Sequence, residues 1–252
     1  MKKQFPIMLN SPPKGATFGV LVWMVFCFVL LPTWTVFFMY GLWDDLTAMS
    51  WCEIVFNGAN IFIIGFLYKD YFGESVFEAK LMWREIARMV AVCAAVIVGL
   101  YLCIFEILSL FAPDWLVLMW EGMIPISVSD IYLTAGATVY GNPLFGSLCM
   151  VLVAPFITCG FFYASTFAPV CCNHPWLGYG AMALVLAIPR VGGALLYDNA
   201  AMPVALYFAQ LPVHMISCWV YQKTDNVWAP IALHMLLNLI GCALILVTGY
   251  VL

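Results

Sequence analysis

What most constrains this chain is a series of apolar runs, each about as long as a bilayer is thick. No charged residue falls between Phe18 and Tyr40, and none between Val227 and Val251. An α-helix needs about 20 apolar residues to cross the hydrocarbon core. In that medium only helices and closed barrels satisfy every backbone group. Candidate spans are Phe18–Tyr40, Ile54–Tyr68, Ala87–Phe111, Trp115–Ala135, Leu144–Phe167, Trp176–Tyr197, Met202–Tyr221 and Val227–Val251. The second is short. The fourth contains Glu121, Pro125 and Asp130, so it either crosses or re-enters and lines a cavity. The expected fold class is therefore all-α: a polytopic integral membrane helix bundle of seven or eight transmembrane helices. No repeat, linker or low-complexity tract divides it, so residues 1–252 read as one domain.

Composition excludes the obvious alternatives. A soluble domain needs about a quarter of its residues charged; here the charged share is 9%, against 65% hydrophobic. The solvent over most of the surface must be lipid, which makes the bilayer the first partner. A net charge of −4, without a basic run beyond the first residues, argues against nucleic acid. The apolar run after Lys2, Lys3 and Lys14 is too long for a cleaved signal segment, whose core is about 7–15 residues.

Basic residues set the expected orientation. Lys2, Lys3 and Lys14 precede the first span, and Lys69, Lys80, Arg84 and Arg88 lie in or beside the second loop. The loop between carries Asp44, Asp45 and Glu53 without a Lys or Arg. This predicts a multi-pass cell-membrane protein with a cytoplasmic N-terminus and, for eight spans, a cytoplasmic C-terminus. Trp43, Trp51, Trp115, Trp176 and Trp228 fall near span ends, as interfacial anchors do. The polar stretch Tyr68–Arg88 predicts an amphipathic helix on the cytoplasmic surface.

Of ten cysteines, Cys27, Cys93, Cys103, Cys149, Cys159, Cys218 and Cys242 lie in apolar runs and read as small buried hydrophobes. Cys52 is expected in a short loop. Cys171, Cys172 and His174 form the one exposed-looking cluster. A structural zinc needs a fourth ligand, so an irregular turn is preferred; no metal and no cofactor are expected.

Polar residues inside spans are functional candidates because they are costly there. His234 and Asn238 are four apart on one helical face. An imidazole moves protons and an amide donates to a developing oxyanion; equally, the pair can bond helix to helix.

The stretch from Tyr221 to Asn238, with Ala229-Pro230-Ile231-Ala232-Leu233-His234 and then Asn238, resembles the end of the CPBP family. These are the CAAX-protease and bacteriocin-processing (Abi) intramembrane endopeptidases. Their closing signature is a Thr-Gly-type turn, an apolar helix entry and H-x-x-x-N. The resemblance implies a CAAX-protease-like core over about residues 142–252 and a hydrolase label, with a role in bacteriocin processing or immunity.

The family's E-E-x-x-x-R motif aligns with Ala154-Pro155-Phe156-Ile157-Thr158-Cys159-Gly160-Phe161-Phe162-Tyr163. Thr158 and Cys159 replace both glutamates there, and Tyr163 replaces the arginine. The F-x-x-x-H motif falls near Leu186–Arg190, with Arg190 at the histidine position.

A threonine or a buried thiol is no general base near neutral pH, and that base is worth roughly 10²–10⁴-fold. The resemblance therefore implies a degenerate protease. Its cavity, lined by Thr158, Tyr163, Arg190, His234 and Asn238, binds a membrane peptide or protein partner. Two alternatives stay open. One is an active protease with rearranged chemistry, through Cys159 with His234 or through the intramembrane carboxylates Glu106 and Glu121. The other is a small transporter or channel. An Arg190–Glu121 or Arg190–Glu106 pair would account for the deep arginine. His214 is expected to hydrogen-bond a neighbouring span.

Overall fold

The computed structural model describes residues 44–112, 141–171, 174–196 and 201–248, with positions 18, 41, 42, 114 and 139. The candidate spans Phe18–Tyr40 and Trp115–Ala135 lie outside the described residues, apart from Phe18 itself. So do Glu121 and the side chain of Arg190. Seven helical segments follow one another, and no strand occurs among the described residues: α1 Asp45–Leu67, α2 Lys69–Leu81, α3 Trp83–Phe111, α4 Pro143–Cys171, α5 Pro175–Leu196, α6 Ala201–Thr224 and α7 Trp228–Thr248. Ser50–Leu67, α3 and α4 are long and apolar enough to cross a membrane.

α1 begins earlier than the apolar run alone indicates. Asp44 caps it by accepting from the Thr47 amide at 3.0 Å, and Glu53 lies inside the helix, 1% exposed. Cys52 is likewise buried on α1, not in a loop. The stretch Tyr68–Arg88 is not one amphipathic helix: α2 ends at Leu81, the chain bends at Met82, and Arg84, Glu85 and Arg88 ride on the first turns of α3. Cys171 is buried at the end of α4, so it is no part of an exposed cluster. Its Cα and Cβ lie 2.9–3.1 Å from where a side chain at Gly178 would begin, which lets α5 fold back closely.

Contacts fix the helix directions. Down the length of α1, Glu53 lies near Cys149, Ile64 against Gly160, and Tyr68 hydrogen-bonds Ser165 at 2.7 Å. The offset is a constant 96–97 residues, so α1 and α4 run parallel. A Cβ at Gly160 would sit 2.8 Å from Ile64 Cδ1, so a larger residue there needs the Ile64 side chain to shift. Tyr71 meets Tyr221, and Phe72 meets Trp228, so α2 lies across one end of the bundle, where α6 stops and α7 starts. That end carries Lys69, Lys80, Arg84 and Arg88 and is the basic end of the bundle. α1, α4 and α6 run toward it; α3, α5 and α7 run away from it. α3 therefore ends, and α4 begins, at the same, opposite end.

α4 holds two stretches of π-helix, Cys149–Val153 and Cys159–Phe167. Such turns shift the backbone bonds from i→i+4 to i→i+5 and are frequent at functional sites. In the first stretch the Met150 carbonyl would pair with the amide of residue 155, which is a proline and has none. The Asn238 amide of α7 fills that gap at 2.7 Å. In the second, Ser165 bonds back to the Gly160 carbonyl at 2.8 Å.

Candidate functional site

Three helices meet at a buried polar cluster. α6 presents Gln210, His214, Ser217, Tyr221 and Thr224 on one side, spaced 4, 3, 4 and 3, so that they share a face. All five are buried. Pro212 interrupts the amide ladder of α6, and nearby the Tyr101 hydroxyl of α3 bonds the Ala209 carbonyl. α7 contributes His234 and α4 contributes Tyr163.

The Tyr163 hydroxyl lies 2.9 Å from His214 Nδ1 and 2.9 Å from His234 Nε2, and the Ser217 hydroxyl lies 3.0 Å from the same Nε2. One phenol proton cannot serve both rings. Tyr163 therefore donates to one imidazole and accepts from the other, which couples their tautomers. The two imidazole centroids are 5.4 Å apart. His214 thus makes the expected hydrogen bond to a neighbouring helix, through Tyr163 of α4.

Two polar atoms in this region have no partner among the described residues: His234 Nδ1 and Thr158 Oγ1. Each is buried, and an unpaired polar atom in such a place costs about 1–3 kcal/mol. Thr158, Tyr163 and His234 are 0% exposed and Asn238 is 1%. The expected cavity is therefore closed where these residues are described; side chains fill it.

The remaining sequence candidates separate from this centre. Cys159 is buried beside it, but the hydrogen bonds to His234 come from Tyr163 and Ser217, so no thiol–imidazole pair forms. Asn238 stands one turn, about 6 Å, beyond His234 and is committed to the π-stretch backbone. Glu106 is exposed near the end of α3, on a different side from the buried row Ile86, Val90, Cys93, Ala94, Ile97 and Tyr101. The described residues contain no group of three or more His, Cys, Asp or Glu able to hold a metal.

Sequence reasoning missed a second polar face. Ser50, Glu53, Asn57 and Asn60 of α1 are all at most 1% exposed. Asn57 donates to the Glu53 carboxylate and backbone carbonyl, and lies against Cys149 of α4. The spacing 3, 4 and 3 was a usable signal, hidden because Glu53 read as loop.

The turn that links the site's two helices is built from Thr224, Asp225 and Asn226. Asp225 has φ 49°, the left-handed region where glycine is favoured, at the place of the glycine in a Thr-Gly turn. Asn226 accepts from the Trp228 amide at 2.9 Å, capping α7, and donates to the Ser75 carbonyl of α2 at 2.9 Å. Burial, and then repulsion from Glu78, push the Asp225 carboxyl up to about 6.

Comparisons with family models, with curated proteins and with solved structures give no match.

Proposed function

We propose that this is a membrane-embedded protein of CAAX-protease-like architecture that no longer hydrolyses and instead binds a membrane peptide or protein partner. The observation that carries the reading is the surroundings of His234. Its Nε2 is taken by the Tyr163 and Ser217 hydroxyls, where hydrolysis needs a carboxylate and a water. The same centre favours binding: parting α4 from α7 would bare Thr158 Oγ1 and His234 Nδ1, two unpaired groups able to bond a peptide backbone.

The test is quantitative mapping of membrane-protein N-termini with wild type and His234→Ala at matched expression. Identical termini are expected, together with a crosslinked partner that is lost in Tyr163→Ala. New termini present only with the wild type would overturn the proposal.

Helix directions also support a revised topology. α3 ends and α4 begins at one end of the bundle, so a single complete crossing by Trp115–Ala135 has the wrong parity. Counting α1, α3, α4, α5, α6 and α7 with the run Phe18–Tyr40 gives seven spans. With the basic end cytoplasmic, the N-terminus is cytoplasmic and residue 248 lies on the opposite face. A reporter fused after Leu252 that fluoresces only in the cytoplasm should stay dark; a bright one restores the eight-span count.

Hydrolysis by a relocated carboxylate has one observation in its favour. Glu53 is buried and borders Cys149, next to the Met150 carbonyl that Asn238 binds. Cleavage abolished equally by Glu53→Gln and His234→Ala would establish that reading.

A further inference from the structure

Outside the polar centre, the surface near the basic end carries a composite hollow. A groove of about 670 Å³ runs between α2, α3 and α7, walled by Ala79, Ile86, Val90, Ala91, Ala232 and Leu236. Three of these six are alanines, and their short side chains leave the gap between α3 and α7 open. Trp83, Trp228 and Lys80 also line it, Trp83 and Lys80 being exposed and Trp228 half-buried. A second hollow of about 500 Å³ shares Lys80 and Trp83 and adds Arg84 and Glu85. Arg84 lies 5.5 Å from the Trp83 ring centre. Neither Lys80 nor Arg84 forms an ion pair among the described residues.

The dimensions select an occupant. From Trp83 to Ala91 and from Trp228 to Leu236 the groove follows eight residues of helix, about 12 Å. That is close to one leaflet of a core about 30 Å thick. Its apolar part thus spans a single acyl chain's depth, and its charged part sits at headgroup level, flanked by interfacial tryptophans. Basic pockets between helices at that level take anionic headgroups.

We infer that this hollow is a binding site for an anionic glycerophospholipid, with one acyl chain between α3 and α7 and the phosphate on Lys80 and Arg84. The inference rests on the membrane-embedded part of the proposed function and is independent of whether the centre hydrolyses.

The full-length protein, first shown to resist alkaline extraction from membranes, is delipidated in detergent. It is then titrated with phosphatidylglycerol or phosphatidylcholine of matched chains, and bound lipid is read by native mass spectrometry. Phosphatidylglycerol should be held roughly thirtyfold more tightly, the scale that two basic side chains supply at an anionic headgroup. Lys80→Gln with Arg84→Gln should abolish the preference, and Lys69→Gln should leave it intact. Ala232→Leu should weaken both lipids by filling the groove; if that variant does not fold, Ala91→Leu does the same from the α3 wall. Equal retention of the two lipids, or a preference that survives the double substitution, overturns the site. Release of the protein at alkaline pH overturns the membrane reading and the site with it.

Discussion

Two buried polar clusters share one bundle, and they hold complementary halves of an acid–base pair. Between α4, α6 and α7 stand two imidazoles, a phenol and a serine hydroxyl, joined by hydrogen bonds of Tyr163 and Ser217 to the imidazoles. On α1 stands a carboxylate with amides and no imidazole. Burial is equally complete at both, so solvent does not distinguish them. What differs is the work each can do. The first links two imidazoles through one phenol hydroxyl, whereas the second fixes a carboxylate with an amide donor. That division between two helix interfaces is what the proposed non-hydrolytic reading requires.

The sharpest way to break this comparison is Tyr163→Phe. Losing the hydroxyl removes the Tyr163 bond from His214 Nδ1 and leaves His234 Nε2 with Ser217. Unfolding in mixed micelles should become easier by about 2–4 kcal/mol. Combined with Glu53→Gln, the effects should add to within about 0.5 kcal/mol if the clusters are independent. A larger coupling would mean one network and would revive a relocated base.

A smaller effect is expected from Asn238→Leu, which orphans the Met150 carbonyl and should cost about 1–3 kcal/mol. Should the same change leave stability untouched, the bond to the π stretch is not what holds α7 to α4.

The smallest effect concerns the turn. Asp225 has a folded-state pKa of about 6, above its ordinary 3.8. The proton is bound more tightly in the folded protein, so the contribution is most favourable below about pH 4 and is lost as pH rises through 6. Asp225→Asn should therefore stabilise at pH 7, by about 1 kcal/mol after allowance for solvent screening, and the gain should fade below pH 4. Asparagine also suits φ 49°. A gain that persists at pH 4 would assign the effect to backbone alone.

Much of the helical framework was legible, because a long apolar run has few alternatives to a helix. The bounds of α4, α5, α6 and α7 fall within a few residues of the runs Leu144–Phe167, Trp176–Tyr197, Met202–Tyr221 and Val227–Val251. α1 was cut short because Asp45 and Glu53 carry charges, and charge in a sequence does not say whether a capping position or a buried amide receives it. His234 and Asn238 stood out by spacing; that their bonds go to Tyr163 and to a proline-orphaned carbonyl needed α4 beside them. The polar face of α6 could have been found from Gln210, His214, Ser217, Tyr221 and Thr224. Helix direction could not, since parity depends on contacts nearly a hundred residues apart.

Those contacts carry a consequence for biogenesis. α1 lies parallel to α4 at an offset of 96–97 residues, and Asn57 and Glu53 face Cys149 across that interface. At a synthesis rate of about 5–20 residues per second, the partner strip of α4 follows α1 by roughly 5–20 seconds. For that interval a helix bearing a carboxylate and two asparagines exists with its packing surface on α4 not yet made. The pairing of α1 with α4 is thus timed by synthesis, and the polar face of α1 stays without that cover until then.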